Sequence, residues 1–210
     1  MIRKTAVLIA GVLLLSGCSS HSKYAQRLRS SDVSERRSAA QELRGIGRND
    51  KLVPALLEAC RDPDSSVRSF AFLALANQNP TIPGVPEAIL LALDDTVLDV
   101  RRSAVSSLGA FNPFPNVCFP AMIKLLVDKD HLIRSMASGT FIDLGKISVP
   151  ILTRALKDKN PEMRMAVADI MGSIGADAKA ALISLRRLAE NDDDLRVREV
   201  AQRAVDRIEE

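Results

Sequence analysis

The sequence predicts an all-α solenoid of about five and a half helical hairpins. Three observations carry that expectation: an Arg that returns about every 32 residues, an apolar stripe at helical spacing around each Arg, and a core built without large aromatics. Hydrophobic residues make up 47 % of the 210-residue chain, aromatics only 3 %, and Trp is absent, so Ala, Val, Leu and Ile must fill the interior. A length of this order suits one domain or one short repeat array.

The repeat marker is an Arg followed three residues later by Ala and seven later by a larger apolar residue. It stands at Arg36, Arg68, Arg101, Arg134, Arg164 and Arg198. One residue before come Val67, Val100, Ile133, Met163 and Val197, with Glu35 the exception. Three after come Ala39, Ala71, Ala104, Ala137, Val167 and Ala201, and seven after Leu43, Leu75, Leu108, Phe141, Met171 and Val205. The tenth position is Ile46, Phe111, Leu144, Ile174 and Ile208, with Gln78 interrupting. Such offsets share one face of an α-helix, so each unit opens with an amphipathic helix, here A. Four residues before the Arg stand Asp32, Asp64, Asp130, Asn160 and Asp194, with Val97 breaking the pattern. Short oxygen-bearing side chains there accept hydrogen bonds from free helix-start amides, and Pro161 suits the first helical position.

A second, shorter helix B is opened by Pro54, Pro86, Pro120 and Pro150, and eight residues beyond each stands Asp62, Asp94, Asp128 or Asp158. The fifth B helix, near 178–189, lacks the Pro. Gly45, Gly47, Gly109, Gly145, Gly172 and Gly175 are expected to end A helices through positive φ. Asp-x-x-x-Arg-x-x-Ala on helix A and Pro-x-x-apolar on helix B resemble HEAT repeats, in particular the short bacterial kind named after phycobilisome lyases, over about Asp32 to Ile208. That resemblance implies an Asp–Arg ladder between neighbouring repeats, with structural work for Asp64, Arg68, Arg101, Asp130, Arg134, Arg164, Asp194 and Arg198.

The N-terminus reads as an address. Arg3 and Lys4 are followed by an apolar run from Ala6 to Leu15 and then by Leu15-Ser16-Gly17-Cys18. The order is that of a signal peptide, and the run is too short for a permanent span. The Leu-Ser-Gly-Cys segment resembles the lipobox of bacterial lipoproteins, which implies acylation of Cys18 and cleavage just before it. Ser19, where an Asp would favour the inner membrane in that family, leans toward the outer one. The expected organisation is a signal peptide at 1–17, an acylated Cys with a flexible tether at 18–30, and a repeat domain at 31–210.

Composition also excludes. The net charge is +3, or +1 once Arg3 and Lys4 are set aside, which argues against general nucleic-acid binding. No His-Glu pair of the kind that holds iron in hydroxylase-like relatives occurs, and the two histidines, His21 and His131, are far apart in sequence. No catalytic residue, metal ligand or cofactor is expected. Cys60 and Cys118 are expected as buried or half-buried free thiols. The expected partner is a protein, bound on a concave face lined by the B helices, where Glu58, Leu90, Lys124 and Arg154 stand four residues after each Pro. A second candidate is Phe114, set between Pro113 and Pro115, as an exposed apolar knob. The functional expectation is a membrane-anchored adaptor or assembly scaffold of the bacterial envelope. The alternatives are an enzyme or enzyme subunit of the lyase or hydroxylase kind and a structural lipoprotein without a dedicated partner.

Overall fold

The computed structural model describes residues 16–210, with side chains from His21 onward. They form helices joined by turns, with no strand among the described residues. The chain divides into two compact units, 1–114 and 115–210, and each is described by itself.

Unit 1 holds α1 (Ser16–Leu28), α2 (Val33–Leu43), α3 (Val53–Ala59), α4 (Ser65–Leu75), α5 (Val85–Ala92) and α6 (Leu98–Gly109). Unit 2 holds α7 (Phe119–Leu125), α8 (His131–Leu144), α9 (Val149–Ala155), α10 (Pro161–Ile174), α11 (Leu182–Asn191) and α12 (Leu195–Glu209). The even-numbered helices are the A helices of the repeat. Within unit 1, α2 packs on α4 and α4 on α6; within unit 2, α8 packs on α10 and α10 on α12. Each short helix packs on the A helix that follows it: α3 on α4, α5 on α6, α7 on α8, α9 on α10 and α11 on α12.

The predicted stripe is the core. Ala39, Ala71, Ala104, Ala137, Val167 and Ala201 are fully buried, as are Leu75, Leu108, Phe141 and Met171. An Ala or Val at this position lets neighbouring helix backbones approach closely, while the larger residue a turn later fills the space between layers. Gln78, the interruption, is buried for a reason: its Oε1 accepts from the Asn49 amide at 2.7 Å and its Nε2 donates to the Ala74 carbonyl at 3.2 Å. Phe111 and Phe119 are buried too, and the Phe119 ring lies 6.2 Å from that of Phe141.

Three expectations need correction. Residues 18–30 are not a flexible tether: they lie largely in α1, which packs on α2 as the short helix missing from the first hairpin. Leu28 is 5 % exposed, and Arg27 reaches Glu35 and both carboxylate oxygens of Glu42. The sparse apolar content of this stretch hid the helix, because its docking is mostly ionic. The glycines are the second correction. Gly145 and Gly175 take positive φ (52° and 67°) just after α8 and α10, but Gly45, Gly47, Gly109 and Gly172 do not. Gly172 lies inside α10, where an added Cβ would come within 3.0 Å of the Ala204 Cα, so its job is close approach of α10 and α12. The third concerns Phe114, expected to be exposed and found half-buried.

Candidate functional site

The repeated Arg and Asp occupy the turn between each short helix and the A helix after it. In every repeat the Arg Nη1 donates to the backbone carbonyl six residues earlier: Arg36 to Ser30, Arg68 to Asp62, Arg101 to Asp95, Arg134 to Asp128, Arg164 to Asp158 and Arg198 to Asp192, at 2.7–3.0 Å. The same guanidinium reaches forward to the next turn. Arg36 pairs through both Nε and Nη2 with Asp62, Arg68 with Asp95 and Arg164 with Asp192. These two-pronged pairs are geometrically specific and stronger than neutral hydrogen bonds.

The two-pronged partners of the repeated Arg are therefore Asp62, Asp95 and Asp192, six residues before an Arg, while the expected Asp64 bridges repeats through a different base, Arg37, whose Nε and Nη2 donate to its two oxygens. Asp64, Asp130 and Asp194 are also N-caps, accepting from Ser66 and Val67, from Ile133 and from Arg196 respectively. Asp62, Asp95, Asp128, Asp158 and Asp192 also each accept the amide two residues on, which shapes the turn. The Arg164 guanidinium holds the Asp192 carboxyl below its usual range, and Arg37 does the same to Asp64, to about 2. Arg134 keeps only the carbonyl bonds to Asp128 and Lys129 among the described residues.

Among the described residues no group of three or more His, Cys, Asp or Glu is placed to hold a metal. His131 is exposed at the first turn of α8. Cys60 and Cys118 are buried thiols outside any disulfide, and burial pushes the Cys60 thiol far above its ordinary pKa, which leaves it a poor nucleophile.

The recognition candidates fare unevenly. Glu58 is exposed but engaged by Arg29, 2.7 Å away, and Leu90 is half-buried. In unit 2, Lys124 and Arg154 are both exposed. Phe114 is half-buried and has interactions of its own, so it is not an exposed knob. Two residues passed over in the sequence are more telling. Leu91 is 73 % exposed beside a groove of about 310 Å³ between α3 and α5, lined by Leu57, Phe72, Ala88 and Ala92, with Arg61, Glu87 and Asp95 at its edge. In unit 2, Ile183 is 84 % exposed beside a groove of about 760 Å³ that includes Leu156 and Leu188, with Lys157, Lys159 and Arg187 facing Asp158 and Asp193. The signal for Leu91 was in the run Ile89-Leu90-Leu91: at 100° per residue, a helix that buries one face cannot bury all three. Ile183 carried no comparable signal, because α11 departs from the Pro-led register.

The fold has close relatives in shape. An engineered protein of known structure superposes with a TM-score of 0.57 at 21 % identity, covering 91 % of this chain and 97 % of its own. A designed armadillo repeat protein gives 0.52 at 20 % identity, covering 89 % and 98 %. Another, solved in complex with the peptide (KR)4, gives 0.53 at 19 %, covering 90 % and 100 %. No curated protein matches the sequence. The family model for HEAT repeats matches residues 22–109 and 140–206, well over half of the chain. The bent Arg–Asp turns, the small-residue stripe and that match make this chain a member of the HEAT-repeat family.

Proposed function

We propose that this protein is a lipid-anchored, non-enzymatic adaptor of a bacterial envelope, of the short phycobilisome-lyase-like kind of HEAT repeat. It uses no cofactor, and its partner is a protein and not a nucleic acid. The observation that carries the binding role is the pair of inter-helix grooves at Leu91 and Ile183. Each presents a large apolar side chain to solvent beside an apolar floor and a rim of both charge signs. Such a surface suits an amphipathic protein segment better than a polyanion, because mixed charge fixes register while the apolar contact supplies affinity. The structural relative that holds a (KR)4 peptide supports peptide recognition by this architecture.

The anchor rests on Leu15-Ser16-Gly17-Cys18, of which Leu15 and the rest of the expected signal peptide before Ser16 lie outside the described residues. No described helix is long and apolar enough to cross a membrane. Acyl chains on Cys18 would confine the domain to a bilayer, the outer membrane on the periplasmic side where one exists, and raise the effective concentration for a weaker protein contact.

The test is photo-crosslinking in cells from residues placed at Leu91 and at Ile183, compared with L91D/I183D and C18A variants. Capture of one partner from these positions, reduced at least roughly tenfold by L91D/I183D and weakened when C18A releases the protein from membranes, is the expected result. A membrane-bound protein that captures nothing dependent on Leu91 or Ile183 would overturn the adaptor reading.

A further inference from the structure

The way α1 docks decides which edge of unit 1 lies next to Cys18. Arg27 meets Glu35 and Glu42, Tyr24 bonds Glu42, and the His21 ring contacts Asn49. Moving back along α1 therefore means moving forward along α2 and into the loop after it: the helices are antiparallel. Cys18 lies in α1 one turn before His21, about 5 Å further along the axis. That step carries it past Asn49, to the level of the loop 44–52.

This loop is where unit 1 concentrates exposed positive charge. Arg44, Arg48 and Lys51 are exposed, as is Lys23 on α1. Arg44 lies over the Phe70 ring at 5.3 Å, and the loop's single acid, Asp50, faces Arg48 at 3.5 Å. The loop is held beside the next one by Asn77, which donates to the Arg44 carbonyl at 3.0 Å, and by the Asn49–Gln78 bond. That next loop, 76–84, carries no charge at all. At the other ends of the hairpins the charges are balanced, with Asp62, Asp64 and Asp95 held by Arg36, Arg37 and Arg68. In unit 2, taken by itself, the loops after α8 and α10 present Lys146, Lys179 and the 68 % exposed Ile147 with one acid, Asp177, while the opposite turns mix Asp128, Asp130, Asp158, Asp192, Asp193 and Asp194 with Lys129, Lys157 and Lys159.

We infer that the loop edge formed by Arg44, Arg48 and Lys51, with Lys23, is a docking surface for anionic phospholipid headgroups. An excess of positive charge at the anchored end, against paired charges at the far end, orients the unit with its loops on the bilayer, and each base near an anionic surface adds to the hold of the acyl chains. The inference rests on the lipid-anchor reading for where Cys18 sits, and its test uses no acyl group.

The mature chain 18–210 carrying C18S is floated with vesicles of phosphatidylcholine alone or mixed with phosphatidylglycerol, at low and high salt. Binding to the phosphatidylglycerol vesicles that salt removes, and that R44E/R48E/K51E weakens roughly tenfold or more, is expected. The matched variant K129E/R186E/R203E, with the same change in net charge elsewhere, should bind within about twofold of the parent, and circular dichroism should show all three folded. No binding to either vesicle, as an edge meant for an acidic protein would give, overturns the inference, and so does equal binding to both or equal loss in both triple variants. Labelling of Cys18 with a fatty acid in cells is scored separately: an acylated protein indifferent to headgroup charge loses this inference and keeps its anchor.

Discussion

Asp62 shows how much one carboxylate does in this architecture. One oxygen accepts from Arg36 Nε at 2.7 Å; the other takes both the Asp64 amide at 2.9 Å and Arg36 Nη2 at 3.1 Å. Its carbonyl receives Arg68 at 2.9 Å. Two consecutive repeats and the turn between them thus meet at a single residue, and the pair is largely shielded, with side-chain exposures of 14 % and 8 %. Removing one partner of a shielded pair leaves the other charge uncompensated. Asp62→Ala is expected to cost about 2–4 kcal/mol of unfolding free energy. Asp64→Ala removes a helix cap together with a more exposed pair to Arg37, and should cost less, about 1–2 kcal/mol. Urea denaturation of both variants checks the order; an Asp64 variant as damaged as the Asp62 variant would show that the Arg37 pair holds the repeats as firmly as the Arg36 pair. The repeated pattern exposed both aspartates, but only the side-chain directions in the folded turn could tell which Arg each one meets.

At the scale of elements, α1 is the instructive case. Its polar composition reads as a tether, yet it lies against α2 through the buried Leu28 and the Arg27 fork on Glu35 and Glu42, with the Arg27 guanidinium also 5.7 Å from the Tyr24 ring. A helix held by one apolar side chain and one shared cation has little hydrophobic periodicity to detect. Leu28→Asp should release α1 while leaving the remaining hairpins folded: hydrogen exchange would rise across residues 21–28, and little elsewhere, if the helix opens as a local unit. Protection of α1 unchanged by that substitution would show that the ionic contacts suffice. Gly172 makes the complementary point. A glycine near the end of a helical stretch reads as a terminus, while the close Ala204 backbone that requires Gly172 inside α10 belongs to α12 and is invisible from the local sequence.

For the whole molecule, the carboxylates held by arginines and caps act in one direction. Arg27 and then Ser38 hold Glu42 to about 2, Arg37 holds Asp64 and Arg196 holds Asp194 to about 2, and Asp32 and Asp192 are lowered as well. A carboxyl whose folded pKa lies below its unfolded value stabilises fully above the unfolded value and loses that contribution as pH falls toward the folded one. Thermal stability should therefore be flat near neutrality and fall between pH about 4.5 and about 2, by an amount that added salt reduces through the exposed Asp32 and Glu42. Melting curves by circular dichroism across that range test it; a melting temperature unchanged down to pH 2 would contradict the paired state of these groups.

The sequence by itself determined the repeat, the helical hairpins, the buried stripe and the place of each cap, because these depend on spacing along one helix and on side chains within a turn of each other. It also marked Cys18 and its preceding motif, which are linear signals. Only the tertiary structure decided that Asp62, Asp95 and Asp192 take the repeated Arg while Asp64 takes Arg37, that α1 completes the first hairpin, that Phe114 is half-buried while Leu91 and Ile183 stand out, and that Arg44, Arg48 and Lys51 lie at the level of Cys18. Those facts depend on which neighbour a side chain meets across a helix interface, about thirty residues away in the chain, and periodicity reports the facing of a helix without naming what it faces.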